Sequence, residues 1–300
     1  RLDFEDLNIN TSNSNNSFAI GNIAFHFDEL FLFGNVFNQQ SGNINISGNS
    51  TELSLRGNDL NGKISMGTDG FMKVNIEDSK IRSFSFPENV RNDQFVKMRL
   101  LGKNVNLDGI SIDSFDLYIL ENQKIITFDD IKITSKIINI NPLDSNEKAY
   151  ISFNKKSNLY KVKGVFELNK PPKYIKEYLN YDFDYLKSIM NVEWKSAEEL
   201  NNIQGKLSFL VKDLKLEQEI SNSVLLKALG IFNLRSFFST ISEIDLSDEN
   251  RSNLNINRGE GSFVFMKDKA RISDPLVIET NFAKMKWIGD IQKDRRNNLS

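Results

Sequence analysis

Apolar and polar residues alternate with period two through most of the chain, in short runs separated by turn residues. Successive strand residues face opposite ways, so each such run presents one apolar and one polar face. By this criterion Gly42-Asn43-Ile44-Asn45-Ile46, Glu52-Leu53-Ser54-Leu55-Arg56 and Gly62-Lys63-Ile64-Ser65-Met66 are three half-buried strands. Gly67-Thr68-Asp69-Gly70 then supplies an Asp-Gly turn, and Met72-Lys73-Val74-Asn75-Ile76 resumes the alternation, which predicts a hairpin. Runs at 96–100, 105–107, 114–119, 125–133, 150–153 and 160–166 extend the series. Strands following one another without intervening helices imply an antiparallel meander rather than βαβ units. Gly42, Gly62, Gly164, Gly205 and Gly261 read as strand openers, with no fixed repeat period.

Two segments interrupt this pattern. After Pro171-Pro172, residues 173–179 place Ile175, Tyr178 and Leu179 on one helical face, and proline sits where a helix start tolerates it. Residues 223–241 hold Leu225, Leu229, Phe232, Phe237 and Phe238 among few charges, and Gly230 and Asn233 divide them into two short helices. Strands resume at Leu254 and continue through Phe263 and Phe265, Ile272, 276–278 and 284–291. The expected organisation is a β-meander over 1–172, a helix-strand-helix segment over 173–245 and closing strands over 246–300. The fold class is mostly β: a long, twisted antiparallel sheet with a few short helices.

Composition narrows the chemistry. Lys and Arg total 38 against 40 Asp and Glu, a net charge of −2, so there is no global basic field and no nucleic-acid partner is expected. With no cysteine and a single histidine the chain has no disulfide framework, thiol nucleophile, zinc ribbon or His-rich metal site. Hydrophobic residues make up 39% of the chain and include 23 Phe, enough to bury a sizeable core. The best apolar stretches, 18–37 and 224–241, are broken by His26, Asp28 and Glu29 and by Lys227, Asn233 and Arg235, so no membrane-spanning helix is expected. The opening Arg1-Leu2-Asp3-Phe4 carries no secretory pattern and reads as an excerpt of a longer chain, with any anchor upstream.

Catalytic signatures are missing. There is no GxxxxGK[ST] phosphate cradle and no GxSxG elbow, and Gly259-Glu260-Gly261 opens a strand rather than a helix. His26, within Phe25-His26-Phe27-Asp28, reads as part of a solvated strand face, since no motif nominates a nucleophile beside it. No feature selects a carboxylate pair, and Lys293, Arg295 and Arg296 read as solvated charges. No catalytic residue, cofactor or metal is expected. The apolar stripes fit either a core covered by a facing sheet or a curved sheet left open as a groove, because alternation is the same in both.

Further residues point to a family. Tyr160-Lys161-Val162-Lys163-Gly164, Met190-Asn191-Val192-Glu193-Trp194 and the run 200–207 with Gly205 are followed by Leu225-Leu226-Lys227-Ala228-Leu229-Gly230-Ile231-Phe232-Asn233-Leu234 with Phe237. Then come Ile244-Asp245-Leu246-Ser247-Asp248, Gly261-Ser262-Phe263 and Asp274-Pro275-Leu276. Together they resemble the large AsmA-like proteins of Gram-negative bacteria, and within them the YhdP type. The N-terminal half agrees through the run 53–64, while Lys195-Ser196-Ala197 stands where the family has a proline-containing continuation. The resemblance implies a periplasmic, non-enzymatic protein anchored to the inner membrane upstream of this segment. It also implies a taco-like β-groove that carries phospholipid towards the outer membrane.

On that reading the lipid groove is lined by Ile44, Ile46, Leu53, Leu55, Ile64, Met66, Val74, Ile76, Met98, Leu117, Ile119, Phe263 and Phe265. The helices bearing Leu225, Leu229, Phe232, Phe237 and Phe238 close one end. The rival expectation is a structural or protein-binding envelope module without lipid cargo.

Overall fold

The computed structural model describes residues 3–7, 21–32, 34–47, 50–82, 96–173, 176, 182–195, 202–215, 255–267, 269–281 and 283–292. They form two compact units, Arg1–Lys136 and Ile137–Ser300. The first holds β1 (Asp3–Leu7), β2 (Asn22–Leu32), β3 (Asn35–Ser47), β4 (Ser50–Arg56), β5 (Asn61–Gly67), β6 (Phe71–Ile81), β7 (Val96–Leu107), β8 (Ile110–Glu121) and β9 (Ile125–Ser135). These pair in chain order as a single ladder. The second holds β10 (Ile138–Asn141), β11 (Tyr150–Asn154), β12 (Leu159–Asn169), β13 (Tyr185–Lys195), β14 (Gln204–Lys215), β15 (Asn255–Phe265), β16 (Lys269–Thr280) and β17 (Lys284–Gln292). Here β10 and β11 share one edge of β12, and β12 to β17 pair in order.

The architecture is mostly β and mostly antiparallel, as the alternation requires. The Asp-Gly hairpin joins β5 to β6 with Met66 opposite Met72. Gly70, at φ 74°, donates its N–H to the Gly67 carbonyl at 3.0 Å, and the Asp69 carboxylate accepts the Phe71 N–H at 3.1 Å. One pair departs from a simple meander: β6 and β7 run parallel, with Val74 beside Leu100. The connection over 82–95 is long enough for the crossover that parallel pairing needs.

Several strands are longer than the alternation suggests, because it slips by one residue inside them. Asp78 and Asn104 both take positive φ, 44° and 53°, and stand opposite each other in β6 and β7. The Asn104 amide donates to the Asp78 carboxylate at 3.1 Å. Buried side chains fall at Val74 and Ile76 before the slip, then at Ser79 and Ile81; in β7 they fall at Met98 and Leu100, then at Val105. The paired irregularity keeps one face apolar across the break. Asp213 does the same in β14, between Val211 and Leu214.

The glycines expected to open strands lie mostly within them. Gly42, Gly62 and Gly102 alternate with Leu55, Ile76 and Phe115 along one cross-strand row. A Cβ at Gly42 would lie 2.5 Å from the Phe25 ring, and one at Gly102 would overlap the Phe115 ring. Large rings therefore lie over bare backbone, which permits a tightly coiled sheet.

In the second unit Phe263, Phe265, Val192, Ile203, Ile256, Ala270 and Ile272 form a buried apolar cluster, with Met190, Trp194 and Leu207 packed against it. Phe153, Tyr160 and Trp194 stack in register across β11, β12 and β13, with centroids 4.5 and 5.3 Å apart. Of the helix expected after Pro171-Pro172, Lys173 and Lys176 are helical, and the Lys176 N–H reaches the Pro172 carbonyl at 3.2 Å. The helices expected over 223–241 lie outside the described residues. Among the described residues no helix is long and apolar enough to cross a membrane.

Candidate functional site

Register brings the first-unit lining residues onto one face. Directly paired residues point the same way. One row runs Ile46, Thr51, Met66, Met72, Met98, Ile119 and Phe128 across β3 to β9. The next runs Ile44, Leu53, Ile64, Val74, Leu100 and Leu117, and the third is the glycine row with Leu55, Ile76 and Phe115. No residue in the three rows is ionisable, and Thr51 contributes the one polar side chain. Every described strand of this unit belongs to the same ladder, and no described helix lies in it.

Burial divides the rows. Leu55, Val74, Ile76, Met98 and Ile119 are buried, whereas Ile44, Ile46, Leu53, Ile64 and Leu117 are half-buried and Met66 is 44% exposed. Accessible apolar surface thus concentrates on β3, β4 and β5. Phe263 and Phe265 lie in the second unit, fully buried on its own apolar face, where Phe263 stacks on Phe209 at 6.0 Å. Leu225, Leu229, Phe232, Phe237 and Phe238 lie outside the described residues. Met72, Leu100, Phe115 and Phe128 share the rows but were not among the residues expected to line the groove. Cross-strand register was the signal that would have found them.

The opposite face carries the charge. Arg99 forks onto Asp116, Nε to Oδ1 at 3.0 Å and Nη2 to Oδ2 at 2.7 Å, and lies 5.2 Å from the Tyr118 ring. The hydrogen bond from Arg99 holds the Asp116 carboxyl below the usual carboxylate range, against partial burial. In the second unit Lys161 pairs with Glu193 at 2.9 Å and Lys187 with Glu167 at 2.7 Å, each across adjacent strands. Hydrogen bonds from Lys176 and Lys215 likewise lower the Asp182 carboxyl.

His26 also faces outward. Its Nδ1 lies 2.9 Å from Ser41 Oγ and its Nε2 lies 3.0 Å from Gln39 Oε1, while Gln39 Nε2 donates to Asp28 at 3.2 Å. The Gln39 amide orientation makes His26 Nε2 the donor to Gln39 Oε1. The network is exposed. Among the described residues no group of three or more His, Asp and Glu could hold a metal ion. Comparison with protein-family models, with curated proteins and with solved structures finds no match for this chain.

Proposed function

We propose that the chain is a segment of a bridge-like lipid carrier, moving phospholipid along its uncharged β-face between inner and outer membrane in outer-membrane biogenesis. In this reading it works in the periplasm, held to the inner membrane by an anchor upstream and reaching towards the outer membrane. The supporting observation is the set of three adjacent uncharged rows, in which Ile44, Ile46, Leu53 and Ile64 are half-buried and Met66 is exposed. An acyl chain drawn into water exposes methylenes at about 0.8 kcal/mol each, so a two-chain lipid faces a large desorption barrier. A continuous apolar face removes most of that barrier. Charges confined to the opposite face keep such a sheet soluble.

The test places a photoreactive residue at Ile44 or Ile64 in the full-length protein, with Lys63 on the opposite face as control. Irradiation in cells followed by mass spectrometry should give phospholipid adducts at the first two positions and none at Lys63. Equal adducts at all three, or none, overturn the reading. An empty protein favours the rival envelope module. The observation on that side is the exposed cross-strand pair Phe31 and Val36, 72% and 56% accessible.

A further inference from the structure

The outward face of the second unit holds an apolar hollow of about 480 Å³ that the lipid reading does not use. It arises where β16 buckles. Ile272 pairs with Gly289 and Leu276 with Trp287, so Ser273, Asp274 and Pro275 together oppose Ile288 alone. Towards β15 the partners are Asp274 with Ser262 and Val277 with Glu260, which leaves one more residue on β16 than on β15. Pro275 has no N–H to give the ladder, and a strand carrying extra residues bends out of the sheet. The bend raises a wall beside Ile189, Leu210 and Val277, which form an apolar floor; Ile189 is 40% exposed.

Five charged side chains line the hollow. Three have their own partners: Lys187 holds Glu167 at 2.7 Å, Lys284 holds Glu279 at 3.5 Å, and Arg258 holds Glu260 at 2.6 Å. The remaining two, Asp274 and Lys286, have opposite signs and no polar partner among the described residues. Lys286 pairs in register with Val277, three residues beyond Asp274, which is about 10 Å of strand. The hydroxyls of Ser208 and Ser262 lie in the lining near Asp274, in its own cross-strand row. A hollow of this volume falls within the range that small ligands occupy.

We infer that the hollow binds a small zwitterion with a short apolar body. Its ammonium sits on Asp274, its anionic group on Lys286, and its apolar part on the floor of Ile189, Leu210 and Val277. Each unpaired charge beside apolar surface gains more from an ionic partner there than it would in open water. Two sources share this chemistry: an amino acid, and the phosphoethanolamine head of a short-chain lipid.

The test is calorimetric titration of the purified chain with L-leucine and, separately, with dihexanoylphosphatidylethanolamine. N-acetyl-L-leucine and L-leucinamide, each lacking one charge, serve as comparisons. At least one zwitterion should bind, and where leucine binds, its two analogues should bind about tenfold more weakly or worse. Lys286→Glu and Asp274→Lys should each cause a loss of similar size. Both positions are exposed, so thermal midpoints should stay unchanged. Binding of leucine assigns the amino-acid source; binding of the phosphate compound alone assigns the headgroup. The inference fails if neither zwitterion binds, if the analogues bind as well as leucine, or if both variants bind like the parent. Ile64→Asp, on the lipid face of the other unit, should leave this binding intact and so separates the two proposals.

Discussion

The Phe115 ring lies across the bare backbone of Gly102, its direct partner in the β7–β8 ladder. No side chain fits between them. Gly102→Ala should therefore destabilise the chain by about 1–3 kcal/mol, the usual cost of overpacking. Urea denaturation measures it. Combining Gly102→Ala with Phe115→Leu should recover part of the loss. Strictly additive effects would mean that the ring is not what excludes the methyl group.

Arg99 and Asp116 join adjacent strands on the polar face with side chains about one-third exposed, 34% and 30%. The folded Asp116 carboxyl titrates below its unfolded value of about 3.9. Its stabilisation is therefore complete above that value and is lost as pH falls through the lower folded value. Asp116→Asn should cost about 1 kcal/mol near pH 7 after solvent screening. The gap between variant and parent should begin to narrow as pH falls below about 3.9 and close only below the lower folded value, as followed by denaturation across pH. A gap that is constant with pH would assign the loss to packing instead.

Gln40 is fully buried, and its Oε1 has no hydrogen-bond partner among the described residues. Its Nε2 reaches only the Asn38 carbonyl, at 3.4 Å, and a Cβ at Gly57 would overlap its amide. A buried acceptor without a donor costs roughly 1–3 kcal/mol. Gln40→Met keeps an unbranched chain of similar length and removes that acceptor, so it should raise the urea midpoint. A lowered midpoint would show that the oxygen is satisfied in solution, by water or ligand.

Individual strands were legible where alternation ran unbroken, as in the β5–β6 hairpin, whose turn chemistry and register both follow from residues 62–76. Positions such as Asn104 hid the rest. A single left-handed residue shifts the alternation by one, so β7 reads as two short strands at 96–100 and 105–107 rather than one. Parallel pairing of β6 with β7 leaves no mark in either strand's own pattern. The same limit applies to the site. Leu55 and Ile64 occupy equivalent places in their alternations, yet one is buried and the other half-exposed, because burial depends on which row and neighbours the register supplies. Ser41 meets His26 only through the β2–β3 register, with no local motif to announce it.

That difference in burial yields a graded test of the apolar face. Val74 is 1% exposed and Met66 is 44% exposed, although both point the same way from neighbouring rows. Val74→Asp buries a carboxylate without a partner and should cost upwards of about 4 kcal/mol, enough to threaten folding. Leu55→Asp should behave similarly, since Leu55 is also buried. Met66→Asp leaves its charge in water and should change stability by no more than about 0.5 kcal/mol. If lipid slides along this face, Met66→Asp and Ile64→Asp should lower the phospholipid recovered with folded protein, because a carboxylate beside acyl chains carries a desolvation cost. Mass spectrometry of extracted lipid, read beside the urea midpoint, separates the two effects. Full lipid recovery in folded Ile64→Asp and Met66→Asp would place the acyl chains elsewhere and leave these rows a structural role only.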